Sequence, residues 1–325
     1  MLRNNMRASI KKKIIILSAG LFLAILLGVT KGSVNLPLTE LFSPQNRGIL
    51  FLRLSRVLLA IITGSGLAVS GIALQATLRN PLAEPYILGT SSGAGLGAVI
   101  AIMLGLTPIF MPVSAFIGAG LAMLLVYNLA RQGNKIPVQS LVLSGVIVSI
   151  ALSGILVFMV SVSSNEALHG LMWWLWGSLQ VYDLKLLLVV GIITLTGIIA
   201  IFMLSQDLNA ISIGEEEAIH LGINAEAVKK ILFFITSLIT AGLVSVCGVI
   251  GFVGLIIPHI MRLAIGPNHK FLIPASCLGG AIFMIICDLI SRTAIPTMEI
   301  PIGVITAIIG APVFLILLKR KQRVN

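Results

Sequence analysis

Charge is scarce in this chain: Asp, Glu, Lys and Arg make up 10% of its 325 residues, against 58% hydrophobic residues. A soluble domain carries about a quarter charged residues. A fold of this size has no interior large enough to hide so much apolar side chain, so lipid must cover it. Acidic residues are the scarcer sign, 11 against 22 Lys and Arg, and the net charge is +11. In a soluble protein that excess would raise nucleic acid as a partner. On a chain this apolar it reads instead as basic loops that set orientation in a bilayer, with no nucleic acid involved. The four histidines are scattered, and no H-E-x-x-H motif occurs that would suit an intramembrane enzyme. No glycine is followed by lysine, so the chain has no phosphate-cradling P-loop, and any ATP used is bound by another chain. The three cysteines, Cys247, Cys277 and Cys287, lie in apolar runs without metal-ligand spacing and read as small buried hydrophobes. Nothing in this inventory calls for a bound cofactor or metal.

What the sequence does hold is apolar runs near 14–34, 57–78, 87–106, 108–130, 138–160, 185–205, 230–248, 250–265, 271–291 and 301–318. At about 20 residues per crossing these give about ten spans. The fold class is therefore an all-α polytopic membrane protein, one domain over 1–325. The pairs that meet near Pro108 and near Gly248 to Gly251 could each be one broken helix. The first run is long for a signal peptide and no small-residue cleavage site follows it, so it reads as a span preceded by about 13 cytoplasmic residues, among them Arg3, Arg7 and Lys11 to Lys13. Placing both termini in the cytoplasm puts sixteen of the 22 Lys and Arg on that side. The six on the other side are Lys31, Arg47, Arg53, Arg56, Lys185 and Arg292, exceptions that want a reason.

Several stretches carry more information. Gly89, Gly93 and Gly97 repeat every four residues, a doubled G-x-x-x-G that lets helix backbones approach, either as plain bundle packing or as a pair that rocks. Residues 79–85 (R-N-P-L-A-E-P) place two prolines four apart, an irregular turn that is either a simple loop or a plug at a pore mouth. The polar stretch 206–230 holds S-x-x-E at Ser212 to Glu215, the form of a capping box, with Glu215, Glu216 and Glu217 suited to a helix N-terminus. Ala218, Ile219 and Leu221 give that short helix an apolar face, Gly222 can end it, and Asn224 can cap the next helix. It could lie on the lipid surface, but an acidic start suits a docking knob for a soluble partner better than an anionic leaflet. Gly248, Gly251 and Gly254 fall on one helical face, and Pro258 breaks the span that follows. Asp288 is the one acid well inside a span, four residues before Arg292, spaced for an intrahelical ion pair. All three tryptophans, Trp173, Trp174 and Trp176, sit in one outer loop, either an interfacial helix or a contact surface.

R-L-S-R at 53–56, S-G-I-A-L-Q at 70–75, R-N-P-L-A-E-P at 79–85, L-G-T-S-S-G-A at 88–94, G-F-V-G-L-I-I-P-H-I-M-R at 251–262 and E-I-P-I-G-V-I-T-A-I-I-G-A-P-V-F at 299–314 stand in this order. With them the chain resembles the iron-siderophore and cobalamin class of ABC importer permeases, from Arg53 to Leu318, departing at Ser55 where that family often has proline. The resemblance implies two permease subunits, identical or closely related, around a central path. It also implies two cytoplasmic ABC ATPases that use the ATP and an extracytoplasmic solute-binding protein. By the same resemblance Arg53, Arg56 and Arg292 meet carboxylates of the binding protein, and Asn80 and Leu82 form a cytoplasmic gate with Val138 and Gln139 as its second part. Residues 215–222, with Glu215, Glu216, Glu217, Ala218, Leu221 and Gly222, would then be the ATPase coupling segment. The expected cargo is a bulky metal chelate, a ferric siderophore foremost, with cobalamin, haem and molybdate as alternatives and an ion-coupled secondary transporter as a distant one. The expected location is the bacterial inner membrane, and the expected chain is a non-enzyme.

Overall fold

In hydrocarbon each backbone N–H and C=O needs a partner within the protein, so apolar runs of span length close on themselves as helices. The computed structural model describes residues 2–34, 36–106, 109–163, 165–181, 183–295 and 298–322, and among them it has no strand, only isolated bridges at Gln132 with Lys135 and Ile295 with Met298. The helices are α1 (Leu2–Thr30), α2 (Leu38–Leu41), α3 (Arg47–Thr77), α4 (Thr90–Met103), α5 (Phe110–Ala130), α6 (Val138–Ser161) and α7 (Asn165–Leu175). There follow α8 (Leu184–Met203), α9 (Ser205–Ile213), α10 (Glu215–His220), α11 (Ala225–Cys247), α12 (Val253–Ile265), α13 (His269–Thr293) and α14 (Ile302–Gln322). Seven of these, α1, α3, α5, α6, α8, α11 and α13, are long and apolar enough to cross a membrane, and α4, α12 and α14 are shorter apolar helices. Together they carry the ten expected segments.

The bundle is built round α3, whose apolar window is 83% buried, while that of α1 is 17% buried. α13, α11, α12 and α8 pack on α3, and α4 packs on α5 and α6. The peripheral helices turn Phe22, Leu121, Ile150, Val157 and Ile192 outward, as lipid-facing surfaces do. Small residues set the closest crossings. A Cβ on Gly64 of α3 would fall on the carbonyl of Gly280 in α13, and one on Gly71 would fall on the carbonyl of Gly254 in α12. Gly93 and Gly97 of α4 meet the backbone of Gly118 and Ser114 in α5 in the same way. Gly89 does not belong to that face: it precedes α4 at φ +76, a left-handed turn that closes the short 3₁₀ helix Pro85–Leu88.

Two further local expectations give way. The glycines from Gly248 to Gly254 do not form a helical face, because 248–252 is unwound between α11 and α12, with Phe252 itself left-handed. Its backbone groups find partners elsewhere: Ile250 N–H donates to Tyr86 Oη at 3.2 Å and Phe252 N–H to Glu84 Oε1 at 2.6 Å, while at the end of α11 Cys247 C=O accepts from Ser178 N–H at 2.8 Å. Nor does Ser212 cap α10. It lies inside α9, where its hydroxyl donates to Leu208 C=O at 2.7 Å, and the N-cap of α10 is Gly214. Asn224 does cap α11, accepting from Ala227 N–H at 3.0 Å.

Candidate functional site

The helix directions give the bundle two functional ends. α1 and α13 finish, and α3 begins, at one of them, where Arg53, Arg56 and Arg292 come together. Arg53 is 5% exposed and donates to Val29, Thr30 and Val34 carbonyls at 3.1, 2.9 and 2.6 Å. Those oxygens belong to the end of α1 and just beyond, where carbonyls lack intrahelical donors and a cation is favoured. Arg292 supports the same end through Gly28 C=O at 3.0 Å and Lys31 C=O at 3.3 Å. Its Nη2 also lies 2.8 Å from Asp288 Oδ2, the i,i+4 ion pair that the spacing suggests. Arg56 Nε donates to Asp288 Oδ1 at 2.7 Å and its Nη1 to Glu299 Oε1 at 2.9 Å. The three guanidinium groups are thus engaged inside the chain: Asp288, fully buried, is the common counter-ion of Arg56 and Arg292, while Arg53 is held by backbone carbonyls. They are not free outward handles: Arg56 and Arg292 are held by carboxylates of this chain and Arg53 by its carbonyls.

Glu299 is the accessible member of the cluster, with 31% of its side chain exposed. Partial burial by itself would raise its pKa. The Arg56 hydrogen bond and charge, with the Gln180 amide donating to Oε2 at 3.2 Å, hold the carboxyl below its usual range instead. The pair therefore contributes at neutral pH and is lost only as pH falls through that lowered value. Beside it opens a cavity of about 620 Å³, walled by Arg56, Gln180, Glu299, Met111, Trp173 and Trp174. The tryptophan stretch is thus a helix, α7, that forms one wall of a ligand-sized recess.

The opposite end carries the 79–85 turn. Arg79 adopts φ +46, Asn80 N–H returns to Gln75 C=O at 3.1 Å, and Asn80 Oδ1 accepts from Leu82 N–H at 2.9 Å, an Asx turn. Leu82 is 46% exposed. Below it the Gln75 amide donates to Gly254 C=O at 3.1 Å and accepts from Arg262 at 3.1 Å. Burial pushes the Glu84 carboxyl above its usual range, partly offset by the Phe252 N–H it accepts. Val138, half-buried at the start of α6, packs against the cluster of Leu78, Ala83, Ile136 and Leu141, and Gln139 beside it is exposed. The two expected gate stretches therefore share one apolar cluster.

The 215–222 segment stands at this same end. α10 carries Glu215, Glu216 and Glu217 in its first turn, buries Ala218 and leaves Ile219 and Leu221 exposed at 62% and 68%. Gly222 ends it at φ +77, with Ile223 N–H closing on Ala218 C=O at 3.0 Å. Sequence reasoning missed the residues that hold α10 down: Lys229, 5% exposed, lies 3.1 Å from Glu215 and 2.5 Å from Glu226. The i,i+3 spacing of Glu226 and Lys229 was the available signal. Glu84 and Glu299, each bonded across the fold, had none.

The profile of the FecCD transport family matches residues 17–320. The cobalamin import system permease of Halobacterium salinarum is 40% identical over 83% of this chain and 73% of its own length. The Fe(3+)-citrate import system permease of Bacillus subtilis is 41% identical over 83% of this chain and 81% of its own. A solved inward-facing metal-chelate type ABC transporter superposes with TM-score 0.86 at 32% identity, covering 95% of this chain and 99% of that one. With its span-length apolar helices, its interrupted α11–α12 pair and this match along nearly its whole length, the chain belongs to the FecCD transport family and is the non-catalytic, multi-pass permease subunit of an ABC transporter.

Proposed function

We propose that this permease pairs with a second copy or close relative in a bacterial inner membrane and imports a bulky metal chelate, a ferric siderophore foremost. Two separate ABC ATPases power it from the α10 end, which is the cytoplasmic side, and a solute-binding protein delivers cargo at the arginine end. The observation that carries this reading is α10 itself. It is a short helix with an acidic start and two exposed apolar side chains, Ile219 and Leu221, anchored through Glu215 to the body of the bundle. Such a knob suits the groove of a soluble partner. The excess of Lys and Arg on the α10 side agrees with a cytoplasmic placement. The chelate assignment rests on the relatives, which are named for Fe(3+)-citrate, hemin and cobalamin.

Reconstitution tests it. Proteoliposomes holding the permease with its ATPase take up ferric siderophore only when ATP and the loaded binding protein are both supplied. Uptake driven by an ion gradient without nucleotide, or nucleotide hydrolysis by the permease alone, would refute the reading.

Docking carries its own prediction. Glu299 occupies Arg56 from inside the chain, standing where a partner's carboxylate would stand. Glu299→Gln weakens that internal competitor while leaving Asp288 in place. Affinity for the binding protein at low salt therefore rises several-fold, and its decline with added salt steepens. An unchanged affinity at both salt concentrations removes Arg56 from the docking surface.

A further inference from the structure

We infer that Lys229 is the joint through which movement of α10 reaches both halves of the gate, an inference that rests on the coupling role proposed for α10. Its ammonium is held by Glu215 at the start of α10 and by Glu226 one turn back on α11, at 3.1 and 2.5 Å. The second oxygen of Glu226 accepts the N–H of Ile136 at 3.1 Å, the residue that leads through Pro137 into Val138 and Gln139. Lys230 adds a parallel tie, donating to Asn134 C=O at 2.9 Å and Asn134 Oδ1 at 3.3 Å. The first turns of α11 therefore grip the 134–136 loop at two points and α10 at one.

Lys229 itself completes the connection. It lines a void of about 10 Å³ together with Leu74, Thr77, Leu78, Ile136, Val138 and Phe233. Leu74, Thr77 and Leu78 close α3 directly before the Asn80 turn, and Val138 opens α6. A single side chain thus bonds the coupling helix and lines the same void as the loop ahead of one gate stretch and the helix end ahead of the other. A buried ion pair adds little net stability, because desolvation cancels most of its attraction, but breaking it leaves a charge stranded in a poor solvent. That asymmetry makes a stiff link. When α10 shifts, Glu215 moves with it, and Lys229 must follow or lose a counter-ion. Glu226 and the void-lining side chains pass the displacement on. Lys229 is a positioning residue, with no contact to cargo or nucleotide required.

The test uses the assembled transporter in proteoliposomes. The pair Lys229→Met with Glu226→Gln removes the charges at nearly constant volume. We expect the ATPase to remain bound and to hydrolyse ATP within about twofold of the unaltered complex, while chelate delivered per ATP falls roughly tenfold. Nucleotide-dependent thiol labelling of a Gln139→Cys reporter is lost in the same variant, and Lys229→Arg largely restores it. A packing role alone would change melting temperature and leave the labelling response intact. Should the double variant fail to fold, Glu226→Gln alone keeps an acceptor for Ile136 N–H but loosens the tie to Lys229, and uptake per ATP falls about threefold. Unchanged uptake per ATP with an unchanged labelling response overturns the joint. Failure of the unaltered permease to retain an ATPase overturns the coupling role of α10 instead, and the joint with it.

Discussion

Asp288→Ala destabilises the permease by about 3–5 kcal/mol, the cost of removing one partner from a buried ion cluster. Asp288 has no exposed surface, and its carboxylate faces Arg56 at 2.7 Å and Arg292 at 2.8 Å. Without it Arg56 keeps Glu299, but the hydrogen bonds left to Arg292 among the described residues go to backbone carbonyls, a poor match for a full positive charge. A third guanidinium, that of Arg53, bonds the same end of α1. The uncompensated charge then acts on the joint of α1, α3 and α13. Thermal unfolding of the purified protein should fall by roughly 5–10 °C. Asp288→Asn, which keeps the shape and loses the charge, falls nearly as far, whereas Glu299→Gln at the accessible rim hardly moves. A melting curve of Asp288→Ala that overlays the parent would show that the cluster is solvated and that the burial argument is wrong.

The fold was legible because hydropathy reports the solvent directly: each of the ten apolar runs falls on a helix. Its errors have a common cause. The second run was expected to start near 57, but α3 starts at Arg47. Charged residues lower hydropathy, and only the folded structure shows that Arg53 and Arg56 find carbonyls and carboxylates within the helix bundle. The same blindness to distant partners explains 248–252. Three glycines at helical spacing are compatible with a helix, and the break exists because Glu84 and Tyr86, more than 160 positions away, accept its N–H groups. Ser212 illustrates the local version, a hydroxyl with two available acceptors, of which the i−4 carbonyl won. At the site, residue types and order set the arginines apart from the Asn80 turn and the Glu215 helix, and the structure has them at opposite ends of the bundle. They could not say that Arg56 already has two carboxylates, or that Lys229 lies under the knob, since those facts are contacts between segments up to 243 positions apart.

Gly64→Ala has an effect of similar size by a different route. A methyl group at Gly64 would coincide with the Gly280 carbonyl, and the reciprocal approach of Gly280 to the Gly64 carbonyl is equally close. Backbone cannot swing aside as a side-chain tip does, so α3 and α13 must separate along their contact, at a cost of about 3 kcal/mol or more, the upper range for overpacking. Gly120→Ala in α5 is the control: nothing lies within 4 Å of the new methyl, and helix propensity alone makes it stabilising by about 0.5–1 kcal/mol. Equal melting temperatures for the two variants would mean that the α3–α13 crossing is looser than the structure has it. The crossing and the ion cluster are also one mechanical unit. Arg56 and Asp288 lie eight residues from Gly64 and Gly280 respectively, both toward the arginine end. Those eight residues span about 12 Å of helix, too short and stiff for a separation at the glycines to be absorbed before it reaches the 2.7 Å contact. Gly64→Ala and Asp288→Asn therefore fall short of additivity when combined, because the first has already stretched the bond that the second removes.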